Sequence, residues 1–113
     1  MNRGTLGLCM AAGGVKTGTD TVLGEIRSRS AKFVMTASDA SERTLKQIRD
    51  KCRTYGIDCY AAPLSGTELA DALGKRSTCV AVSFNGRGPW RNVLSELTQN
   101  TDTSGSDRNG KDN

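Results

Sequence analysis

The chain has 113 residues, a length that supports one hydrophobic core and not two. Its 16 Lys and Arg against 12 Asp and Glu leave a net charge of +4, which favours an acidic or nucleic-acid partner over a neutral metabolite. There is no histidine, and none of the four cysteines stands in a C-x-x-C pair, which argues against zinc and against imidazole-based catalysis.

Residues 5–12 are predicted to form a short helix capped by Thr5, with Leu6, Cys9 and Met10 on one face and Gly13 and Gly14 as its stop. The same apolar run is too short and too broken by glycine to span a membrane or to act as a signal peptide. A brief strand at 15–17 leads to the corner Gly18-Thr19-Asp20, where a side-chain oxygen is expected to cap the free N–H groups of a second helix. Val22, Leu23 and Ile26 form the buried stripe of that helix, and Gly24 is its odd residue. A polar, donor-rich helix N-terminus, with Lys16 just upstream and Arg27 and Arg29 further on, suits an anionic partner such as phosphate.

Residues 32–37, KFVMTA, read as a central strand covered on both faces. Asp39 is expected to cap the next helix, with Glu42 at its third position. In that helix Leu45, Ile48, Cys52 and Tyr55 recur at helical spacing, and the cations between them, Arg43 to Arg53, are read as a solvated back. Gly56 stops it, and 57–62 reads as another strand. Ser65-Gly66-Thr67-Glu68 is a capping box for a short helix with Leu69, Ala72 and Leu73 inward and Gly74 as its left-handed stop. After the loop Lys75-Arg76-Ser77-Thr78 come a second apolar strand at 79–84, an Asn85-Gly86 turn, and a last helix opened by Pro89 with Trp90, Val93, Leu94 and Leu97 on its apolar face. Strands and helices alternate, which predicts the α/β class: a three-layer α/β/α sandwich around a central mixed sheet of about four strands.

Taken in order, the segments LGLCMAAGGVKTGTDTVLGEIR, AKFVMTASDAS, the basic helix ending CRTYGI, and LADALGKRSTCVAV resemble the kink-turn-binding ribosomal protein superfamily of the seven-Ae and thirty-e large-subunit type, in its bacterial YlxQ-like branch. The likeness runs over residues 5–97. It implies that a glycine corner and two neighbouring loops grip the backbone and sheared G·A pairs of sharply bent RNA. Gly18 matches the corner glycine, Asp39 the acidic loop residue, and residues 69–74 the leucine and glycine segment. Where RNA-binding members have Asn, Glu and Lys after the corner, this chain has Asp20, Thr21 and Gly24. A carboxylate in place of an amide removes a donor and adds a repelled charge, and the missing lysine removes a phosphate contact.

The expected RNA-contacting set is therefore Lys16, Thr17, Gly18, Thr19, Asp20, Thr21, Gly24 and Arg27 around the corner, Asp39, and the loop residues Lys75, Arg76, Ser77 and Thr78. For Lys75 and Arg76, a short loop between a helix stop and a buried strand favours contact over plain solvation. The sparse aromatic residues sit at pattern-buried positions, so recognition is expected to rest on backbone and shape, not on base stacking. The stretch Gly13 to Thr19 approaches a P-loop but lacks its lysine after the second glycine, and no carboxylate pair stands apart from ordinary helix caps. The cysteines read as core thiols of a reducing, cytoplasmic compartment. The expectation is a non-enzymatic RNA-binding protein without cofactor or metal and without a membrane association. The alternative is a protein-interaction module that keeps the fold and has lost kink-turn recognition.

From residue 99 onward the sequence QNTDTSGSDRNGKDN holds no apolar side chain, so it cannot offset its own ordering entropy. The folded domain is expected to span 1–98 and the polar tail, 99–113, to be disordered. Deleting 99–113 is expected to leave the melting temperature nearly unchanged. A loss of several degrees in a thermal melt would show that the tail docks.

Overall fold

The computed structural model describes residues 1–102. In chain order the elements are α1 (Arg3–Ala11), β1 (Val15–Thr17), α2 (Thr19–Arg27), β2 (Phe33–Thr36), α3 (Glu42–Tyr55), β3 (Asp58–Ala61), α4 (Gly66–Leu73), β4 (Ala81–Phe84) and α5 (Trp90–Asp102). The two apolar runs make the centre of the sheet: β2 and β4 are buried at every position, as strands covered on both faces must be. The strand order is β1-β4-β2-β3, with β4 antiparallel to both its neighbours and β2 parallel to β3. The sheet is thus mixed, and β1 and β3 are its edges.

Alternation along the central strands sorts their side chains into two cores. Phe33, Met35, Val82 and Phe84 pack with Leu6 and Cys9 of α1, Leu69, Ala70 and Leu73 of α4, and Val93 and Leu97 of α5. On the other face Val34 and Ala81 pack with Val22, Leu23 and Ile26 of α2 and Ile48 and Cys52 of α3. Helices on both faces of one sheet make the expected α/β/α sandwich. Phe33 and Phe84 are partners in register, and their rings stack at 4.5 Å with planes 6° apart. Such a pair adds about 0.5–1.5 kcal/mol to the burial of its area.

Several helix ends differ from expectation, each for a local reason. Asn2, not Thr5, caps α1, its side-chain oxygen accepting from Thr5 N at 3.2 Å; Asn is the stronger cap, so the helix starts two residues early. Ser41, not Asp39, caps α3 by accepting from Thr44 N at 3.2 Å. In α4 it is Ala70 that is fully buried beside Leu69 and Leu73, with Ala72 only half-buried. The last helix continues through Asp102, so 99–102 extend α5 rather than begin a tail. Once a helix is nucleated, each further residue adds a backbone hydrogen bond without needing an apolar side chain. The remainder of the expected tail, 103–113, lies outside the described residues.

Ser83, in the middle of β4, is 1% exposed, and its hydroxyl has no hydrogen-bond partner among the described residues. A buried hydroxyl left unpaired costs about 1–3 kcal/mol. Ser83→Ala is therefore expected to raise stability by about 1 kcal/mol in urea unfolding; a loss of that size would mean the hydroxyl is satisfied in solution.

Candidate nucleic-acid interface

The register decides which loops meet. Thr17 pairs with Val82, and Thr36 pairs with both Ala81 and Ala61, so the ends of β1, β2 and β3 and the start of β4 line one edge of the sheet. The corner, the 37–39 segment, the 62–66 segment and the 75–80 loop all leave from that edge.

At the corner Gly18 is the N-cap of α2, with φ 99° and ψ 140°, a left-handed φ that favours glycine. It offers no side chain, and the expected side-chain cap is absent: α2 has none, whereas Asn2, Ser41 and Ser65 cap α1, α3 and α4. The first helical bond runs from Val22 N to Gly18 O at 2.9 Å. The amides of Thr19, Asp20 and Thr21 thus have no intrahelical acceptor, and the positive end of the helix dipole is left open. Gly18 N donates to Ala81 O at 3.2 Å, which ties the corner to the start of β4. Lys16 is exposed on β1, and Asp20 and Thr21 are exposed in the first turn of α2.

Asp39 does something other than cap its own helix. Its carboxylate accepts from Gly66 N at 2.9 Å, across 27 residues. Ser65 Oγ accepts from Glu68 N at 3.1 Å and Glu68 Oε1 accepts from Ser65 N at 2.8 Å, completing the capping box. These bonds and the nearby Arg3 guanidinium hold the Glu68 carboxyl below its usual range, the backbone bond from Ser65 foremost. The N-terminus of α4 is consequently filled by the chain's own acids, unlike that of α2. Gly66 O in turn accepts from Cys79 N at 3.0 Å, and Ala37 N donates to Val80 O at 2.9 Å. Gly66 is the junction at which the Asp39 loop, the start of α4 and the 75–79 loop are fastened together.

Thr17 and Gly18 on one side and Lys75, Arg76, Ser77, Thr78 and Cys79 on the other line a shallow depression of about 320 Å³. Lys75 and Arg76 also border a second depression of about 300 Å³ with Arg3, Thr67 and Glu68, so they form the ridge between the two. Both are exposed, and neither makes an ion pair among the described residues. The expected set is thereby divided. Thr17, Gly18 and residues 75–78 share one depression, Thr19, Asp20 and Thr21 follow directly, and Asp39 is joined to them through Gly66. Gly24 lies a turn further along α2, half-buried, where an added Cβ would meet nothing within 4 Å. Arg27 is not brought to the corner: it ends α2, about 12 Å away along the helix axis. Gly66 joins the expected residues at this edge. Its signal was a glycine, a poor helix former, at the first position of an otherwise well-specified helix.

Three of the four thiols are held above the ordinary thiol value, while half-buried Cys59 is held below it by its hydrogen bond with Cys52 and by the Arg49 charge. Burial pushes Cys9 and Cys79 up from the ordinary thiol value, with the Lys75 charge partly offsetting it at Cys79. Cys52 is pushed up by its hydrogen bond with Cys59 and by burial. All four cysteines are unpaired as disulfides. No helix among the described residues is long and apolar enough to cross a membrane.

Residues 3–90 match the ribosomal protein L7Ae/L30e/S12e/Gadd45 family, and the chain belongs to it. It is 36% identical over 81 residues to the RNA-binding protein YlxQ of Enterococcus faecium, covering 72% of this chain and 78% of that protein. The corresponding protein of Bacillus subtilis (strain 168) is 39% identical over 92 residues, covering 81% and 90%. Among solved structures, a protein with unknown function from Bacillus halodurans C superposes with a TM-score of 0.75 at 26% identity, over 86% of this chain and 95% of that one. A Giardia lamblia 15.5kD RNA binding protein superposes with a TM-score of 0.72 over 87% and 82%; at 17% identity it shows a shared fold.

The Gly66 junction generates a paired test. A Cβ at Gly66 would collide with the Thr78 methyl, Cγ2, and stand 3.4 Å from Cys79 O. Gly66→Ala is expected to cost about 1–3 kcal/mol by overpacking. Adding Thr78→Ser, which removes that methyl, should recover most of the loss in chemical unfolding. If the second change recovers nothing, the two residues are not in contact.

Proposed function

We propose that this protein is a non-enzymatic RNA-binding protein, ribosomal-protein-like, that holds structured, kink-turn-like RNA by its backbone and shape at the edge carrying Gly18. The observation that carries the reading is the pairing, across one depression, of an uncapped helix N-terminus with two cations that have no acidic partner among the described residues. Free amides and a helix dipole attract phosphate, and Lys75 and Arg76 face the same space. Lys16, Thr17, Thr19 and Thr21 complete the polar rim, and Ser77 and Thr78 offer hydroxyls opposite. Asp39 acts as a brace, holding the 37–39 and 75–79 loops in register through Gly66. The two YlxQ relatives are named for RNA binding, which agrees with this assignment. The four unpaired thiols suit a reducing, cytoplasmic setting.

Asp20 favours a second reading. A carboxylate in the first turn of α2 stabilises the helix dipole and repels phosphate, which suits a protein-interaction module better than an RNA binder.

Salt titrations with a kink-turn RNA and a plain duplex of equal length separate the two. Lys75→Ala with Arg76→Ala is expected to leave stability within about 0.5 kcal/mol, both residues being exposed, and to reduce the salt slope by up to about two. Gly24→Lys enters open space, so it is expected to raise stability by about 0.5–1 kcal/mol and to place a cation one turn beyond the corner. It should strengthen kink-turn binding more than duplex binding. Equal, weak, steeply salt-dependent binding to both RNAs, unmoved by either variant, would leave the interaction module.

A further inference from the structure

Basic residues that the corner does not use gather at the other end of the sheet. Val15 pairs with Phe84 and Phe84 with Phe33, so Lys32 and the 85–89 turn, just outside those strand ends, stand opposite the Gly18 edge. Trp90 opens α5 there, half-buried, with Lys32 Nζ 5.4 Å and the Arg91 guanidinium carbon 5.2 Å from its ring centroid. Lys32 lies over the turn, since a Cβ on Gly86 would come within 2.5 Å of its Cε. Arg87 lies beside Gly13 and Gly14, its guanidinium nitrogen 3.6 Å from the place of a Gly13 Cβ. Asn85 pins that turn, its side chain donating to Gly13 O at 3.1 Å and its amide to Gly14 O at 3.0 Å.

These cations are unneutralised. Among the described residues, acids pair with Arg3 and Lys46, and none pairs with Lys32, Arg87 or Arg91. Arg29 is at this end too, but it is engaged by Tyr55, donating to its carbonyl at 3.1 Å and lying 5.3 Å over its ring. Between the two ends runs β1, an edge strand with Lys16 exposed at its centre. Gly13 and Gly14, which Arg87 touches, lead into that strand, and Gly18 ends it. Lys16 thus stands between the Lys75 and Arg76 ridge and the cluster around Trp90.

We propose that a second RNA-contacting surface, formed by Lys32, Arg87, Arg91 and Trp90, receives a helical arm of the same RNA running from the corner along the β1 edge past Lys16. The inference rests on the RNA-binding reading above. Nucleic acid fits better than an acidic peptide because a duplex carries a charge about every 1.7 Å of axis, so cations at any spacing along an edge find a phosphate. The strand between the two clusters covers about 10 Å, within reach of a single stiff arm. A guanidinium and an ammonium over an indole also offer flat, cationic contact to ribose and phosphate.

Trp90 is the chain's single tryptophan, so its fluorescence reports on this surface directly. Two kink-turn RNAs serve as probes, one with minimal helices and one with an arm lengthened by a helical turn. Wild type is expected to bind the lengthened RNA about tenfold more tightly at low salt, with a slope steeper by about two to three. Trp90 emission should change with the lengthened RNA and not with the short one. The triple variant Lys32→Gln, Arg87→Gln, Arg91→Gln should bind the short RNA as wild type does and lose the gain. Where losing both ring contacts lowers the melt, Arg87→Gln alone serves, with a loss of about one unit of slope. A gain that survives the substitutions, or equal binding of both RNAs by wild type, overturns the proposal. Poly-glutamate of matched charge that moves Trp90 emission as strongly as the lengthened RNA would overturn RNA as the occupant. Wild type that binds neither RNA overturns the corner reading together with this one, whereas loss of the length-dependent gain alone leaves the corner intact.

Discussion

Strand β4 is the constraint on which the rest depends. It is buried at every position and hydrogen-bonds to β1 on one side and β2 on the other, both antiparallel. Because it runs against its neighbours, the loop that enters it stands beside the points where they leave. That juxtaposition puts Lys75 to Thr78 next to Gly18 and lets Ala37 and Gly66 fasten the same loop from the other direction. Antiparallel pairing in the centre of the sheet is therefore what assembles the candidate interface, and each loop needs little conformational freedom of its own.

The helix N-termini at that edge have been given opposite treatments. At α4 the donors meet Ser65, Glu68 and Asp39, so its positive end is neutralised and its position locked. At α2 a glycine stands at the cap, giving the backbone its left-handed φ and no acceptor. An open N-terminus costs a helix about 1 kcal/mol relative to a capped one, or less where glycine is the alternative. The first-turn carboxylate of Asp20 offsets part of that through the dipole. In the proposed RNA-binding role the same carboxylate would repel phosphate, whereas Lys75 and Arg76, which line the depression with Gly18, carry the opposite charge.

Much of the architecture was legible in the sequence because burial writes itself in periodicity. The runs 32–37 and 79–84 declared two central strands, the helical spacing of Ile48 and Cys52 declared α3, and Gly56 and Gly74 declared its stop and that of α4, both left-handed in the structure. The ends were less legible. Asn2, Ser41 and Gly18 each hold a cap position that a neighbouring polar residue could equally have filled, and a difference of a few tenths of a kcal/mol decides between such candidates.

What the sequence by itself determined is the class of fold, the buried faces and a polar glycine corner near basic residues, since all of these follow from local pattern and composition. What only the tertiary structure decided is which of those residues share a site. Asp39 bonds to Gly66 across 27 residues, and Arg27 stands at the far end of its helix although it is close to Gly18 in sequence. Lys32 meets Trp90 across 58 positions of chain, and Gly66 earns its glycine from the Thr78 methyl against it. The physical reason is that strand order and register are set by the summed burial of both sheet faces, and no local pattern carries that sum.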